Sequence, residues 1–114
     1  MKVDICICTH NPRIELLRTV ISSIACQEVN PEQITVLLID NASRPPVEST
    51  LLTPLMKRGV PYRVLNEPQL GLSRARIRAI QETTAEWVLF VDDDNELNSD
   101  YSSSFECSDC NSLL

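Results

Sequence analysis

Two glycines in 114 residues leave this chain without a glycine-rich phosphate loop. Neither a GxGxxG turn nor a Walker pattern can be written with Gly59 and Gly71 alone, so a phosphate would have to rest on arginine and metal. Basic residues are scarce as well. Ten Lys and Arg stand against sixteen Asp and Glu, a formal charge of -6 with a pI near 4.6. That balance opposes binding to nucleic acid or to an anionic membrane surface. No apolar run approaches the roughly 20 residues of a spanning helix, so no transmembrane segment is expected. Met1-Lys2-Val3-Asp4 places charge in the first short apolar run, which excludes a signal peptide there. The five cysteines are an odd number and scattered. Cys107-Ser108-Asp109-Cys110 has no second CxxC or His pair to complete a zinc site. A reduced, cytoplasmic setting is expected, free or peripheral to the inner membrane.

What is present is 43% hydrophobic and 23% charged sequence, which suits one small globular domain. Strands are expected over Val3 to Cys8, Gln33 to Ile39, Tyr62 to Asn66 and Glu86 to Val91. Cys6 and Cys8 alternate on the first strand and should share a face as small buried hydrophobes, while Cys26 falls near a helix end. Between the strands lie helical patterns. Ile14, Leu17, Val20, Ile21, Ile24 and Ala25 recur at helical spacing, with Asn11 as N-cap and Pro12 at the first helical position. A second helix is expected around Val47 to Arg58, ending at Gly59 and shortened or kinked by Pro54. A third runs from about Ser73 to Thr83, opened by Gly71 and capped by Ser73. Strand–helix alternation closed by a fourth strand predicts a parallel α/β sheet with helices on its faces. Right-handed crossovers and a strand order of 3-2-1-4 make the first and fourth strands neighbours at a topological switch point. Residues 102–114 lack periodicity and read as a poorly ordered tail behind a domain of residues 1–101.

The switch point brings Thr9-His10-Asn11 against Asp92-Asp93-Asp94. Two carboxylates about 6 Å apart repel by roughly 3 kcal/mol at an effective dielectric near 20. A hard cation such as Mg²⁺ or Mn²⁺, which takes oxygen ligands, would relieve that repulsion. Two further segments gather at the same sheet edge: Asp40-Asn41-Ala42-Ser43, and the run from Glu67 to Arg76. Arg76 near a helix start is unfavourable for the helix dipole, and an anionic partner would offset this. Each segment also has a plainer reading. Asp40 could form a turn, Thr9 could cap a helix, and Arg74 and Arg78 could be a solvated face.

Four segments in this order resemble family 2 glycosyltransferases of the GT-A fold. Ile5-Cys6-Ile7-Cys8-Thr9-His10-Asn11 resembles the opening strand and its Thr-Tyr-Asn loop. Leu38-Ile39-Asp40-Asn41-Ala42-Ser43 resembles the Val-Asp-Asp-Gly-Ser strand ending. Gly71-Leu72-Ser73-Arg74-Ala75-Arg76 resembles the Gly-x-x-x-Ala-Arg-Asn helix start, and Phe90-Val91-Asp92-Asp93-Asp94-Asn95 the DxD motif. The resemblance covers residues from about 2 to 101 and implies a Rossmann-like, nucleotide-binding half of that fold. It implies transfer of a sugar from a nucleotide-diphosphate sugar, UDP-linked in the first instance, to a saccharide or other hydroxyl acceptor, with inversion. Thr9, Asn11, Asp40, Arg76, Asp92 and Asp93 would then bind the donor. Thr9 and Asp40 would meet the base, Arg76 the base or diphosphate, and Asp92 the ribose. Asp94 would hold Mn²⁺ or Mg²⁺. The sequence departs from the pattern at His10, where an aromatic is usual, and at Ile77, where Asn is usual. The family's general base lies in a second half not found here, so a truncated chain is expected, and neither Glu96 nor Asp100 is placed to replace it. The alternative class is a non-enzymatic receiver-like module, but a receiver clusters its paired acids after the first strand, where this chain has Thr9-His10-Asn11.

Overall fold

The computed structural model describes residues 2–27 and 30–93. Four strands, β1 (Val3–Thr9), β2 (Ile34–Asn41), β3 (Tyr62–Glu67) and β4 (Trp87–Val91), form one sheet of order β3-β2-β1-β4, all parallel. The order is that expected from the sequence. Three helices connect them: α1 (Ile14–Ala25), α2 (Thr53–Arg58) and α3 (Leu72–Glu82). Asp94, Glu96, Asp100, the Cys107–Cys110 pair and the 102–114 tail lie outside the described residues.

Strand alternation divides the sheet into two faces. Ile5, Ile7, Val36, Leu38, Leu89 and Val91 join Leu17, Ile21 and Leu55 in the larger core under α1 and α2. Cys6, Leu37 and Ile39 join Ala75 and Ala79 in a smaller core under α3, with Cys8, Val88 and Phe90 packed beside it. Each fully buried Ile or Leu contributes roughly 1.5–3 kcal/mol relative to exposure, and both faces being covered explains why β1 and β2 read as nearly continuous apolar runs. Cys6 and Cys8 do share a face. Burial, with Asp4 next, pushes the Cys6 thiol up to about 12.

The element starts need correction. Helix α1 begins at Ile14, with Arg13 as N-cap and no side-chain cap. Asn11 instead takes a left-handed φ of 45°, and its side chain is spent on a neighbouring loop. Helix α3 has Gly71 at the N-cap, at φ 139°, and Ser73 is inside the helix rather than capping it. The Gly71 N–H is held by Asn41 Oδ1 at 2.8 Å, which fixes where the helix can begin. The segment before Arg58 splits into a 3₁₀ turn, Ser49–Leu52, and the six-residue α2. Pro54 sits in the first turn of α2, where its missing N–H costs nothing. Gly59 closes α2 in the left-handed region at φ 80°. No helix among the described residues is long and apolar enough to cross a membrane.

Candidate functional site

The C-terminal sheet edge is where β1 and β4 bring their loops together. Thr9 pairs in register with Asp40, and Ile7 with Val91, so Asp92 and Asp93 emerge beside Cys8 and Thr9. The buried Thr9 hydroxyl donates to Asp93 Oδ2 at 2.7 Å across 84 positions of sequence. Thr9 therefore ties the acidic run to β1 and caps no helix. On the α3 face the Arg76 guanidinium lies 5.6 Å from the Phe90 ring centroid, a cation–π contact at the β4 terminus. Arg76 and Asp93 both reach Cys8 electrostatically. Burial pushes the Cys8 thiol up to about 11, with Arg76 opposing the rise and Asp93 adding to it. Thr9 and Asp93 are thus joined directly, with Asp92 next in chain and Arg76 over Phe90 on the α3 face.

Asp40 is used differently. Its carboxylate is buried, with Oδ1 accepting from Ser43 N at 3.3 Å and Oδ2 from Val47 N at 2.9 Å. The residue folds the β2 exit loop, which is the turn-forming alternative seen in the sequence, and both its described partners belong to that loop. A 180 Å³ recess lined by Asp40, Ser43, Asn66 and Glu67 lies beside it.

Two residues that sequence reasoning left outside the donor set organise this edge. Asn41 is 3% exposed. Its Nδ2 donates to the carbonyls of Glu67 at 3.1 Å and Gln69 at 2.8 Å, while Oδ1 accepts from Gly71. One amide side chain, able to donate and accept together, holds the entire entry to α3. The signal was its place in the second position of an Asp-Asp-Gly-Ser type ending, where a carboxylate could not donate. His10 is the second. Its Nδ1 sits 2.7 Å from the Asn41 carbonyl oxygen, which can only accept, so Nδ1 carries the proton. Nε2 is then free to accept from Asn11 Nδ2 at 3.2 Å. Asn11 also accepts at Oδ1 from Arg44 N at 2.8 Å and donates its own N–H to Ser43 Oγ at 2.9 Å. Asn11 and His10 clamp the β1 loop to the β2 loop.

Two cavities flank His10. One, of 220 Å³, is walled by Cys8, Thr9, His10, Asn41, Leu72 and Ala75. The other, of 320 Å³, is bounded by His10, Asn11, Arg13 and Asp93. They share His10 in their linings, one a mostly apolar slot and the other an opening that reaches Asp93. Among the described residues no three His, Cys, Asp or Glu gather as a ready-made metal centre. The donor set at the β4 end is nonetheless of the right kind. Asp92 and Asp93 offer hard carboxylate oxygens, and Thr9 occupies only one oxygen of Asp93.

A family model, glycosyl transferase family 2, matches residues 4–104. The chain belongs to that family. The fold agrees: TarS from S. aureus in complex with UDP superposes with a TM-score of 0.78 at 21% identity, over 94% of this chain and 31% of that one. TarS 1-349 with UDP-GlcNAc gives 0.77 at 23% identity, over 94% and 30%. A mannosyltransferase from Pyrobaculum calidifontis, in complex with GDP-Man and Mn²⁺, gives 0.67 at 19% identity, over 83% and 28%. The chain therefore spans about a third or less of the length of these structures. No curated protein matches it in sequence. The GT-A, Rossmann-like architecture expected from the four segments is the architecture observed.

Proposed function

We propose that this chain is the donor-binding part of a metal-dependent glycosyltransferase, moving a sugar from a nucleotide-diphosphate sugar to an acceptor hydroxyl with inversion. The observation that carries the reading is the Thr9–Asp93 hydrogen bond, which joins the β1 and β4 ends into one site at the place where open α/β sheets receive ligands. Family membership supports the reaction class. The UDP, UDP-GlcNAc and GDP-Man of the fold neighbours support a nucleotide-sugar donor, and the Mn²⁺ of one supports a divalent ion.

In this reading Asp92 and Asp93 take the ribose and diphosphate side of the donor, and Asp94 directly holds Mn²⁺ or Mg²⁺. The ion, when bound, neutralises charge developing on the departing nucleoside diphosphate. Thr9 fixes the rotamer of Asp93, so the carboxylate need not be ordered when ligand arrives. Arg76, held over Phe90, supplies positive charge that a diphosphate can meet without a glycine loop. The base would enter the slot walled by Thr9, His10, Asn41 and Ala75. Asn11 and Asp40 keep the loops around it in place, through the bonds to Arg44 N and to Ser43 N and Val47 N. No acceptor site and no general base is assigned among the described residues.

Calorimetric titration with UDP tests the proposal. Saturable binding is expected with Mn²⁺ and not with chelator, and Arg76→Ala should weaken it about tenfold, the loss of one charge-assisted contact. Equal binding with and without metal, unaffected by Arg76→Ala, would remove the donor site.

A further inference from the structure

A fourth and larger cleft, of 390 Å³, opens between the start of α1 and the segment that follows β2. Thr9, Arg76 and Asp93 take no part in its lining, so it is distinct from the site above. Its floor is apolar, made by Ile14, Pro45, Val47 and Leu51, and Ile14 is 44% exposed there. Arg18 and Arg44 line the same cleft. Among the described residues neither guanidinium has an ion pair. The lone carboxylate in the lining, Glu48, faces Thr50 Oγ1 at 3.4 Å. In a chain of formal charge -6, a recess with two uncommitted arginines over an aliphatic floor is an exception to the general field.

From that pairing of charge and floor we propose that this cleft binds an amphipathic organic anion, a phosphate or carboxylate carrying an aliphatic body. The oxyanion sits between Arg18 and Arg44, which can present paired N–H donors, and the aliphatic part covers Ile14, Val47 and Leu51. Asn11 lines both this cleft and the opening that reaches Asp93. Because Asn11 Oδ1 holds the Arg44 backbone N–H, occupancy of the cleft bears on the loop that frames the donor site.

Hexyl phosphate is the probe, titrated calorimetrically with chelator present, beside inorganic phosphate and hexanol. Hexyl phosphate is expected to bind at least tenfold more tightly than either control, since it alone uses both floor and arginines. Arg18→Ala and Arg44→Ala should each weaken it about tenfold. Both side chains are exposed, so the variants should fold as the parent does, and both should retain UDP binding in Mn²⁺. That control separates failure of this site from failure of the donor site. Co-sedimentation with phosphatidic acid vesicles, lost in the double variant, would make the natural source a lipid; hexyl phosphate binding without it would make the source soluble. Equal affinity for hexyl phosphate and inorganic phosphate, or unchanged hexyl phosphate binding in the double variant, overturns the proposal.

Discussion

At the scale of single residues, the sheet edge depends on side chains chosen for what they can donate as well as accept. Asn41 makes three bonds, two as donor. Asn41→Asp would turn two donors into a carboxylate facing two carbonyl oxygens. A loss of stability of about 2 kcal/mol or more is expected in urea denaturation, given the cost of leaving buried polar groups unpaired. Asn41→Ala should cost less than Asn41→Asp, because it removes the bonds without adding a buried charge. The next residue offers the opposite case. Ala42 sits at φ 56°, a left-handed conformation that costs an L residue roughly 1–2 kcal/mol. Ala42→Gly should therefore raise stability by about 0.5 kcal/mol after the added chain entropy is deducted. The same change at Ala79, inside α3 and against the sheet, should lower it by about 1 kcal/mol. Thermal denaturation of the two variants side by side would show the opposite signs. The Asp40 carboxylate was legible as a polar strand ending, but not that both its oxygens would close a loop. That depends on where Val47 returns, which no local pattern encodes.

At the scale of elements, periodicity was a good guide wherever burial dominates and a poor one at element starts. The four strands and their order were legible because each is an apolar run bounded by polar residues, and a parallel sheet buried on both faces demands such runs. The starts of α1 and α3 were misread because Asn11 and Ser73 are good caps in isolation. In the folded chain Asn11 answers to Arg44 and His10, and Gly71 answers to Asn41; the contacts to Arg44 and from Asn41 span about thirty positions. The edges of the sheet also differ. On β3, Arg63 meets Glu82 at 2.8 Å, and Arg78 bridges Glu82 and Glu67 at 3.4 and 3.8 Å, tying α3 to that strand. The hydrogen bond from Arg63 is the main cause holding the Glu82 carboxyl below its usual range. At the sheet interior, the Cys6 thiol gives a pH prediction. Its folded value is raised to about 12 from an ordinary 9.0. Below 9.0 both states hold the proton and nothing is lost; between 9.0 and about 12 only the unfolded chain ionises, so stability falls as pH rises. Cys6→Ala should flatten the dependence of urea stability on pH across that interval relative to the parent, whatever its own cost in packing.

At the scale of the whole molecule, the fold places its chemistry by topology. Reversal of strand order between β1 and β4 brings residues 84 positions apart to within one hydrogen bond. That convergence was legible in the amino-acid sequence, because the alternation of elements fixes the switch point and the switch point fixes which loops meet. Which side chains would be occupied by the protein itself was not legible. Asp40 has its carboxylate engaged by backbone and Asn11 its amide by Arg44 N and the His10 ring, whereas Asp93 has one oxygen unused among the described residues and Arg76 rests on an aromatic ring. The chain spans at most about a third of its fold neighbours. The central proposal is then one of location: the β1 and β4 ends would hold a divalent ion beside a nucleoside diphosphate. Paramagnetic broadening of backbone amide signals by substoichiometric Mn²⁺, in the presence of UDP, tests it most directly. Signals of Thr9, His10, Asp92 and Asp93 should broaden first, and Asp93→Asn should reduce the effect. Broadening that begins instead at Glu67 and Glu82, or that is spread evenly over the acidic surface and unchanged by Asp93→Asn, would contradict that location.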